Sequence, residues 1–157
     1  YDNGQLGRKT GGGFYRINKL DNGDKLKEVF DLEVSSWRTA NKVTIDKNLS
    51  ILLEENNYGN YSWNVMGSTL MYAADLVPEI ADDIVNIDRA MKWGFAWSKG
   101  PFEMIDELGP HNCIEKCKKE GKIPKMLKVL DDSGNKSFYS DDGKFLNMLG
   151  NYESIPD

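Results

Sequence analysis

Acidic side chains near the middle of the chain are the residues whose types and spacing could carry chemistry. Two carboxylates at helical spacing can act as a general acid and a general base in hydrolysis. Carboxylates also cap helix N-termini or lie on solvated faces, and no other feature of the sequence indicates hydrolysis. We therefore expect capping and solvated faces, rather than catalysis, from Asp82, Asp83, Asp88, Glu103, Asp106 and Glu107.

Two cysteines and the single histidine form a second candidate group. Cys113 and Cys117 are four residues apart in a segment that reads as helix, and His111 lies just before them. Structural zinc sites usually need four Cys or His ligands, and no fourth ligand is nearby. His111 follows a Gly-Pro helix break, which favours a surface or capping histidine over a catalytic base. The sequence predicts free thiols in a reducing cytoplasm and no metal site.

A glycine-rich segment opens the chain, and such segments can cradle phosphate groups. Five glycines lie between residues 1 and 13. They do not form the G-x-G-x-x-G dinucleotide fingerprint, because no hydrophobic strand precedes them and no helix follows. The phosphate-loop pattern is also missing, since Arg8-Lys9-Thr10 comes before the last glycines rather than after them. We expect no nucleotide binding by this segment.

Composition excludes two further classes of partner. The 157 residues are 39% hydrophobic and 11% aromatic, which is typical of a packed globule, and the net charge is -5. Without a basic stripe, nucleic acid is not an expected partner. No apolar run approaches the roughly 18 residues that cross a bilayer, and no signal sequence is evident. We expect a soluble, cytoplasmic protein, and Tyr1 in place of a Met suggests an internal segment or a processed chain.

Helical periodicity begins after residue 45 and dominates the second half of the chain. Apolar residues recur at steps of three and four from Trp63 to Val77, until Pro78 interrupts the pattern. Similar stripes predict further helices after Asp82-Asp83, after Gly100-Pro101, over 112–120 and after Pro124. Extended pieces are predicted near 14–17 and 29–34. A turn at 141–143, between 137–139 and 144–146, predicts a hairpin.

Two motifs resemble a known family. The run PEIADDIVNIDRAMKWGFAWSKGPFEMIDELG (78–109) and the run GQLGRKTGGGFY (4–15) are similar to motifs of the C-terminal helical domain of 3-hydroxyacyl-CoA dehydrogenases. In that family the first motif opens the domain and the second closes it, whereas this chain has them in reverse order. The resemblance therefore implies the end of one helical copy followed by a second copy, as in multifunctional fatty-acid oxidation enzymes.

The resemblance implies a fold and a domain division. We expect a mainly α fold of the 6-phosphogluconate dehydrogenase C-terminal-like type, with an irregular N-terminal arm and a short C-terminal hairpin. Residues 1–17 would end a preceding helical copy, 18–47 would be a connector and 48–157 would form the second helical domain. In the family, NAD and the catalytic His-Glu pair belong to a Rossmann domain. We accordingly expect no catalytic, cofactor-binding or metal-binding residue in these 157 residues.

The resemblance also points to candidates for a cleft or an interface. An Asn in an F-x-x-N-R pattern contributes to the substrate cleft of many family members, and Asn64 lies near that place, although Val65 replaces the arginine. The better match is the turn formed by Gly100, Pro101, Phe102 and Glu103. Glycine permits a close approach and proline starts a helix, so packing explains this turn at least as well as ligand contact.

The implied function is that of a supporting part of a larger enzyme. The parent would be an NAD-dependent 3-hydroxyacyl-CoA dehydrogenase, an oxidoreductase of fatty-acid β-oxidation acting on acyl-CoA substrates. This segment would pack against the preceding helical copy and the Rossmann domain and support the substrate cleft, and it would be inactive alone. An apolar face could serve both the core and that contact: Trp63, Met66, Leu70 and Phe102.

Two alternatives remain open. The segment could be a non-catalytic self-association module, with a homo-oligomer as its product. It could also be the same domain from a dehydrogenase that acts on another 3-hydroxy acid.

Overall fold

The chain divides into two compact units. The computed structural model describes residues 2, 4–42, 44 and 48–156. The division lies between residues 1–45 and 46–157. The first unit is built from strands and the second mainly from helices.

The N-terminal unit is a three-stranded antiparallel sheet in the order β1-β2-β3. Its strands are β1 (Tyr15–Lys19), β2 (Lys25–Asp31) and β3 (Ser36–Thr39). These strands fall in the stretches predicted as an N-terminal arm (1–17) and a connector (18–47). The sequence indicates extended pieces in both stretches but not their pairing, because pairing depends on contacts across the sheet rather than on local propensity.

Glycines close the loop that leads into β1. The Gly7 amide donates to the Gly12 carbonyl at 3.0 Å, and Gly7 and Gly11 have φ values of 100° and 86°, a region that favours glycine. A Cβ atom on Gly12 would lie 2.9 Å from the Trp37 ring. The Arg16 guanidinium covers that ring at 4.4 Å. The glycine run therefore shapes a tight loop against Trp37.

The second unit consists of six α-helices, short irregular turns and a two-stranded hairpin among its described residues. A 3-10 turn at Leu49–Leu53 precedes the helices, and residues 45–47 of the predicted helical stretch lie outside the described part. A π-helical turn at Trp63–Gly67 joins the first two helices. The helices are α1 (Asn57–Ser62), α2 (Ser68–Asp75), α3 (Ile84–Phe95), α4 (Pro101–Leu108), α5 (Pro110–Glu120) and α6 (Lys125–Ser133).

Local sequence signals account for most helix ends. The Asp83 side chain caps α3 by accepting the Asn86 amide at 2.8 Å, as expected for a carboxylate at a helix N-terminus. Gly121 ends α5 in the left-handed conformation. Helix α5 begins at Pro110 rather than at the predicted residue 112, because proline fits the first helical position.

The predicted apolar face lies mostly in the core of this unit. Trp63, Leu70 and Phe102 are at most 3% exposed, and Met66 packs against the core while partly buried. Three of these four side chains are therefore already covered by the unit itself.

Residues 144–146 of the C-terminal segment pair with the chain on both sides. Strand β4 (Lys144–Leu146) pairs with β5 (Tyr152–Ser154). The predicted pairing of 137–139 with 144–146 is also present, through a bridge between Tyr139 and Phe145 and a bond from the Leu146 amide to the Phe138 carbonyl at 2.8 Å. No helix in the described part of the chain is long and apolar enough to cross a membrane.

Candidate functional site: the turn at the start of α4

The structure brings four of the five predicted site residues together. Gly100, Pro101, Phe102 and Glu103 form the N-terminus of α4. Asn64 lies apart from them in sequence, exposed on the π-helical turn, and its side chain makes no hydrogen bond within the described residues. The geometry of the candidate site is therefore the geometry of the α4 N-terminus.

A buried carboxylate from another helix caps this N-terminus. Asp88 of α3 is 1% exposed. Its oxygens accept the Phe102 amide at 2.8 Å and the Glu103 amide at 3.2 Å. They also accept the Tyr139 hydroxyl at 2.9 Å. Amides at a helix N-terminus have no partner within the helix, so Asp88 supplies the acceptor that the helix itself lacks.

Gly100 is required by the position of this carboxylate. A Cβ atom at residue 100 would lie 2.2 Å from Cγ of Asp88, far inside any real contact. Pro101 follows at the first helical position, where its missing N–H leaves no donor unsatisfied. The spacing between Asp88 and Gly100-Pro101 therefore has a steric and a hydrogen-bonding reason.

The next two residues of the turn tie α4 to its neighbours. Phe102 is fully buried and meets Phe138 edge to face, with ring centroids 4.9 Å apart. Glu103 accepts the Gly100 amide at 2.8 Å and pairs with Lys92 of α3 at 2.5 Å. Both partners of that ion pair are about one third exposed, so it contributes little to stability.

A second, partly buried carboxylate extends the network to the C-terminal segment. Asp106 of α4 accepts the Phe138 amide at 2.7 Å and the Tyr139 amide at 2.8 Å. The sequence predicts capping or solvated carboxylates at Asp88 and Asp106. Capping is confirmed for Asp88, but both carboxylates are turned inward rather than solvated. Sequence spacing alone could not indicate this, because Tyr139 lies 51 residues after Asp88.

Burial changes the acidity of both carboxyl groups. It raises the pKa of Asp88 from 3.8 to about 6, although three hydrogen-bond donors favour the charged form. Burial also raises the pKa of Asp106 to about 6, against the two backbone amides. At Glu103, partial burial is outweighed by the bonds from Lys92 and Gly100, and the pKa is lowered. Burial, followed by the Asp88 charge, raises the pKa of Tyr139.

The arrangement suits a structural role better than a chemical one. Both oxygens of Asp88 and both oxygens of Asp106 already accept hydrogen bonds from this unit. Among the described side chains, no buried polar atom lacks a hydrogen-bond partner. A general base needs an oxygen within reach of a substrate proton, and these oxygens are already engaged.

The other candidate groups stay apart from this network. His111 is exposed near the start of α5. Cys113 and Cys117 are buried free thiols, and burial raises their pKa values to about 12 and about 11, which keeps them protonated. No group of three or more His, Cys, Asp or Glu side chains in the described residues could hold a metal ion.

Three curated proteins are similar to this chain. A probable 3-hydroxyacyl-CoA dehydrogenase of Bacillus subtilis is 37% identical over 150 residues, which cover 88% of this chain and 19% of that protein. Putative fatty acid oxidation complex trifunctional enzymes of Rickettsia felis and Rickettsia prowazekii are each 39% identical over 102 residues. Those alignments cover 64% of this chain and 14% of each protein.

The chain thus spans less than a fifth of the length of these relatives. No protein-family model matches it, and no solved structure matches it significantly. The Bacillus alignment covers most of the chain, and the two motifs that resemble the dehydrogenases fold into a tight glycine loop and a capped helix turn. By homology over this segment, the chain belongs to the 3-hydroxyacyl-CoA dehydrogenase family.

Proposed function

We propose that this chain is a supporting helical segment of a larger NAD-dependent 3-hydroxyacyl-CoA dehydrogenase of fatty-acid β-oxidation. The larger protein oxidises a 3-hydroxyacyl-CoA with NAD bound on a separate Rossmann domain. Residues 48–157 form its second helical domain, residues 1–17 end the first copy, and residues 18–47 connect the two. We also place the larger enzyme in the cytoplasm.

One observation carries the supporting role. The polar groups of the best-matched motif are engaged inside its own unit, since Asp88 caps α4 and Glu103 binds Gly100 and Lys92. Residues held in this way fix the angle between α3 and α4, and helix packing accounts for their hydrogen bonds. The turn therefore acts on the cleft only by holding helices in place, while Asn64 remains the candidate for a direct cleft contact.

The proposal is tested by comparing two chains from the same reading frame. The full-length protein should form NADH from NAD and a 3-hydroxyacyl-CoA, whereas the 157-residue chain should form none. Isothermal calorimetry should likewise detect NAD binding only for the full-length protein. Measurable oxidation by the 157-residue chain would place the active site here and overturn the proposal.

A second candidate function is self-association through the helical unit. Residues 56–74 contain no charged residue, although 29% of the chain is charged. Four side chains on the exposed side of this stretch are more than half exposed: Tyr58, Tyr61, Val65 and Tyr72. Tyrosine enrichment and charge depletion are typical of protein interfaces.

Sedimentation separates this candidate from the first. If self-association is the function, the 157-residue chain should form a dimer that Tyr61→Glu disrupts. Leu149→Glu is a matched control, because Leu149 is 83% exposed but lies in the loop between β4 and β5. A strict monomer at high concentration would exclude self-association through this face.

A further inference from the structure

The N-terminal unit has no hydrophobic core of its own. Among its described residues, only Gly12 and Glu28 are buried, and the buried apolar residues of the chain begin at Leu52. The sheet is held instead by one ion pair and by aromatic contacts. Arg16 pairs with Glu28 at 2.5 Å, and Phe30 meets Trp37 with ring centroids 5.3 Å apart.

One side of this unit carries an apolar groove. The groove has a volume of about 740 Å³, and among its described lining residues Asp2 is the only charged one. Leu6, Phe14 and Leu32 are 57%, 71% and 72% exposed. We call this surface the N-terminal groove, and its lining residues are Asp2, Gln5, Leu6, Gly7, Gly13, Phe14, Phe30 and Leu32.

The opposite face of the sheet has a different character. Side chains alternate between the two faces of a strand, so Ile17, paired with Lys27, lies on the face away from Phe30. The Lys27 ammonium covers the Tyr15 ring there at 5.0 Å. Cations thus surround the apolar residues of that face, whereas the N-terminal groove has none.

A three-stranded sheet of this kind is marginal without a cover. Small sheets gain independent stability from a packed hydrophobic face, and exposed apolar patches mark interaction sites. Within the described part of the unit, the groove is the apolar surface that such a cover would bury. Because its lining is almost uncharged, the occupant must itself be apolar.

We propose that the N-terminal groove docks an apolar helix face from the polypeptide that precedes this segment in the longer protein. The inference rests on the proposed function, in which residues 1–17 end a preceding helical copy. The relatives supply the length for such an occupant, since the matched region is 19% of the Bacillus protein. Covalent attachment keeps the helix at high local concentration beside the groove.

The experiment compares hydrogen exchange in the 157-residue chain and in the full-length protein. Amides of β2 (Lys25–Asp31) should exchange at least about tenfold more slowly in the full-length protein, because a covered sheet opens less often. Amide exchange in α4 should slow by a smaller factor, since the helical unit already has a hydrophobic core. Phe14→Ser and Leu32→Ser should each remove most of the gain in β2 protection.

The matched control is Ile17→Ser on the opposite face. Ile17 is 58% exposed, so the change removes a similarly exposed apolar side chain from the same sheet. The slowing of β2 amide exchange in this full-length variant should stay within about twofold of the slowing in the full-length protein without the substitution. An equal loss from Ile17→Ser and Phe14→Ser would overturn the assignment to the groove.

Other outcomes are also decisive. Equal β2 protection in both chains would show that the sheet needs no added cover. Concentration-dependent protection in the 157-residue chain, abolished by Phe14→Ser, would make a second copy the occupant and overturn the proposal. Oxidation of a 3-hydroxyacyl-CoA by the full-length protein is scored separately, so the docking inference and the proposed function can fail independently.

Discussion

The two units of this chain reach order in different ways. The helical unit buries a continuous apolar core, beside which Asp88 is buried and Asp106 is partly buried. The sheet unit buries no apolar side chain in its described part and depends on the contacts of Trp37 and Arg16 and on the buried Glu28. The comparison teaches that two motifs with equally specific spacings can belong to regions of very different independent stability.

The largest effect is expected from Gly100→Ala in the helical unit. The new Cβ would clash with Asp88, so the helices must separate, and the free energy of unfolding should fall by about 3 kcal/mol. Urea unfolding followed by circular dichroism measures this. Gly94→Ala is the matched control, because a Cβ there meets nothing within 4 Å. The same loss in both variants would refute the steric account.

Trp37→Ala should act on the sheet unit alone. It removes the ring that packs against Arg16 and Phe30, a loss of about 2 kcal/mol for a partly buried tryptophan. Hydrogen exchange should accelerate in β2 and remain unchanged in α4. Simultaneous acceleration in α4 would mean that the units unfold together and would break the comparison.

Acidification should stabilise the helical unit. Asp88 and Asp106 have folded pKa values of about 6, above the ordinary 3.8. The folded state therefore binds protons before the unfolded state does, and this stabilisation is present at low pH and lost as pH rises through about 6. Between about pH 7.5 and pH 5, each group should add about 1 kcal/mol to the free energy of unfolding.

The contribution of one carboxyl is isolated with Asp88→Asn. The amide cannot titrate, so the variant should lose about half of the pH-dependent gain seen in urea unfolding. Asp82→Asn, at an exposed position, should retain the gain. If Asp88→Asn shows the same pH-dependent increase in unfolding free energy as the unsubstituted chain, burial does not raise the pKa of Asp88.

The smallest effect is expected from Ala96→Gly. Ala96 ends α3 with φ 56° and ψ 33°, the left-handed conformation in which glycine has no Cβ penalty. The substitution should increase the free energy of unfolding of the helical unit by about 0.5 to 1 kcal/mol. Its melting temperature should therefore rise. Ala90→Gly, within α3 at an exposed position, should lower it. Destabilisation by Ala96→Gly would contradict the backbone argument.

Much of the helical unit could be predicted from its sequence. Periodicity, caps and prolines are local signals, and they located the helices that begin near Ile84, Pro101 and Lys125. The strand that pairs with β4 was missed, because Tyr152–Ser154 is too short to show the alternation that marks a strand. The regular sheet of the N-terminal unit was also missed, since its glycines and charges suggested an irregular segment.

Motifs and periodicity along the chain were enough to indicate the family resemblance, the mainly helical second half and the residues of the Gly100–Glu103 turn. The role of that turn emerges from the packed helices, because its partners Asp88, Lys92 and Phe138 are its neighbours only across the fold. The same holds for Gly12. Only the folded structure shows that a Cβ atom at this position would collide with the Trp37 ring. Spacing along the chain identifies a motif, but the contacts that explain it are made across the fold.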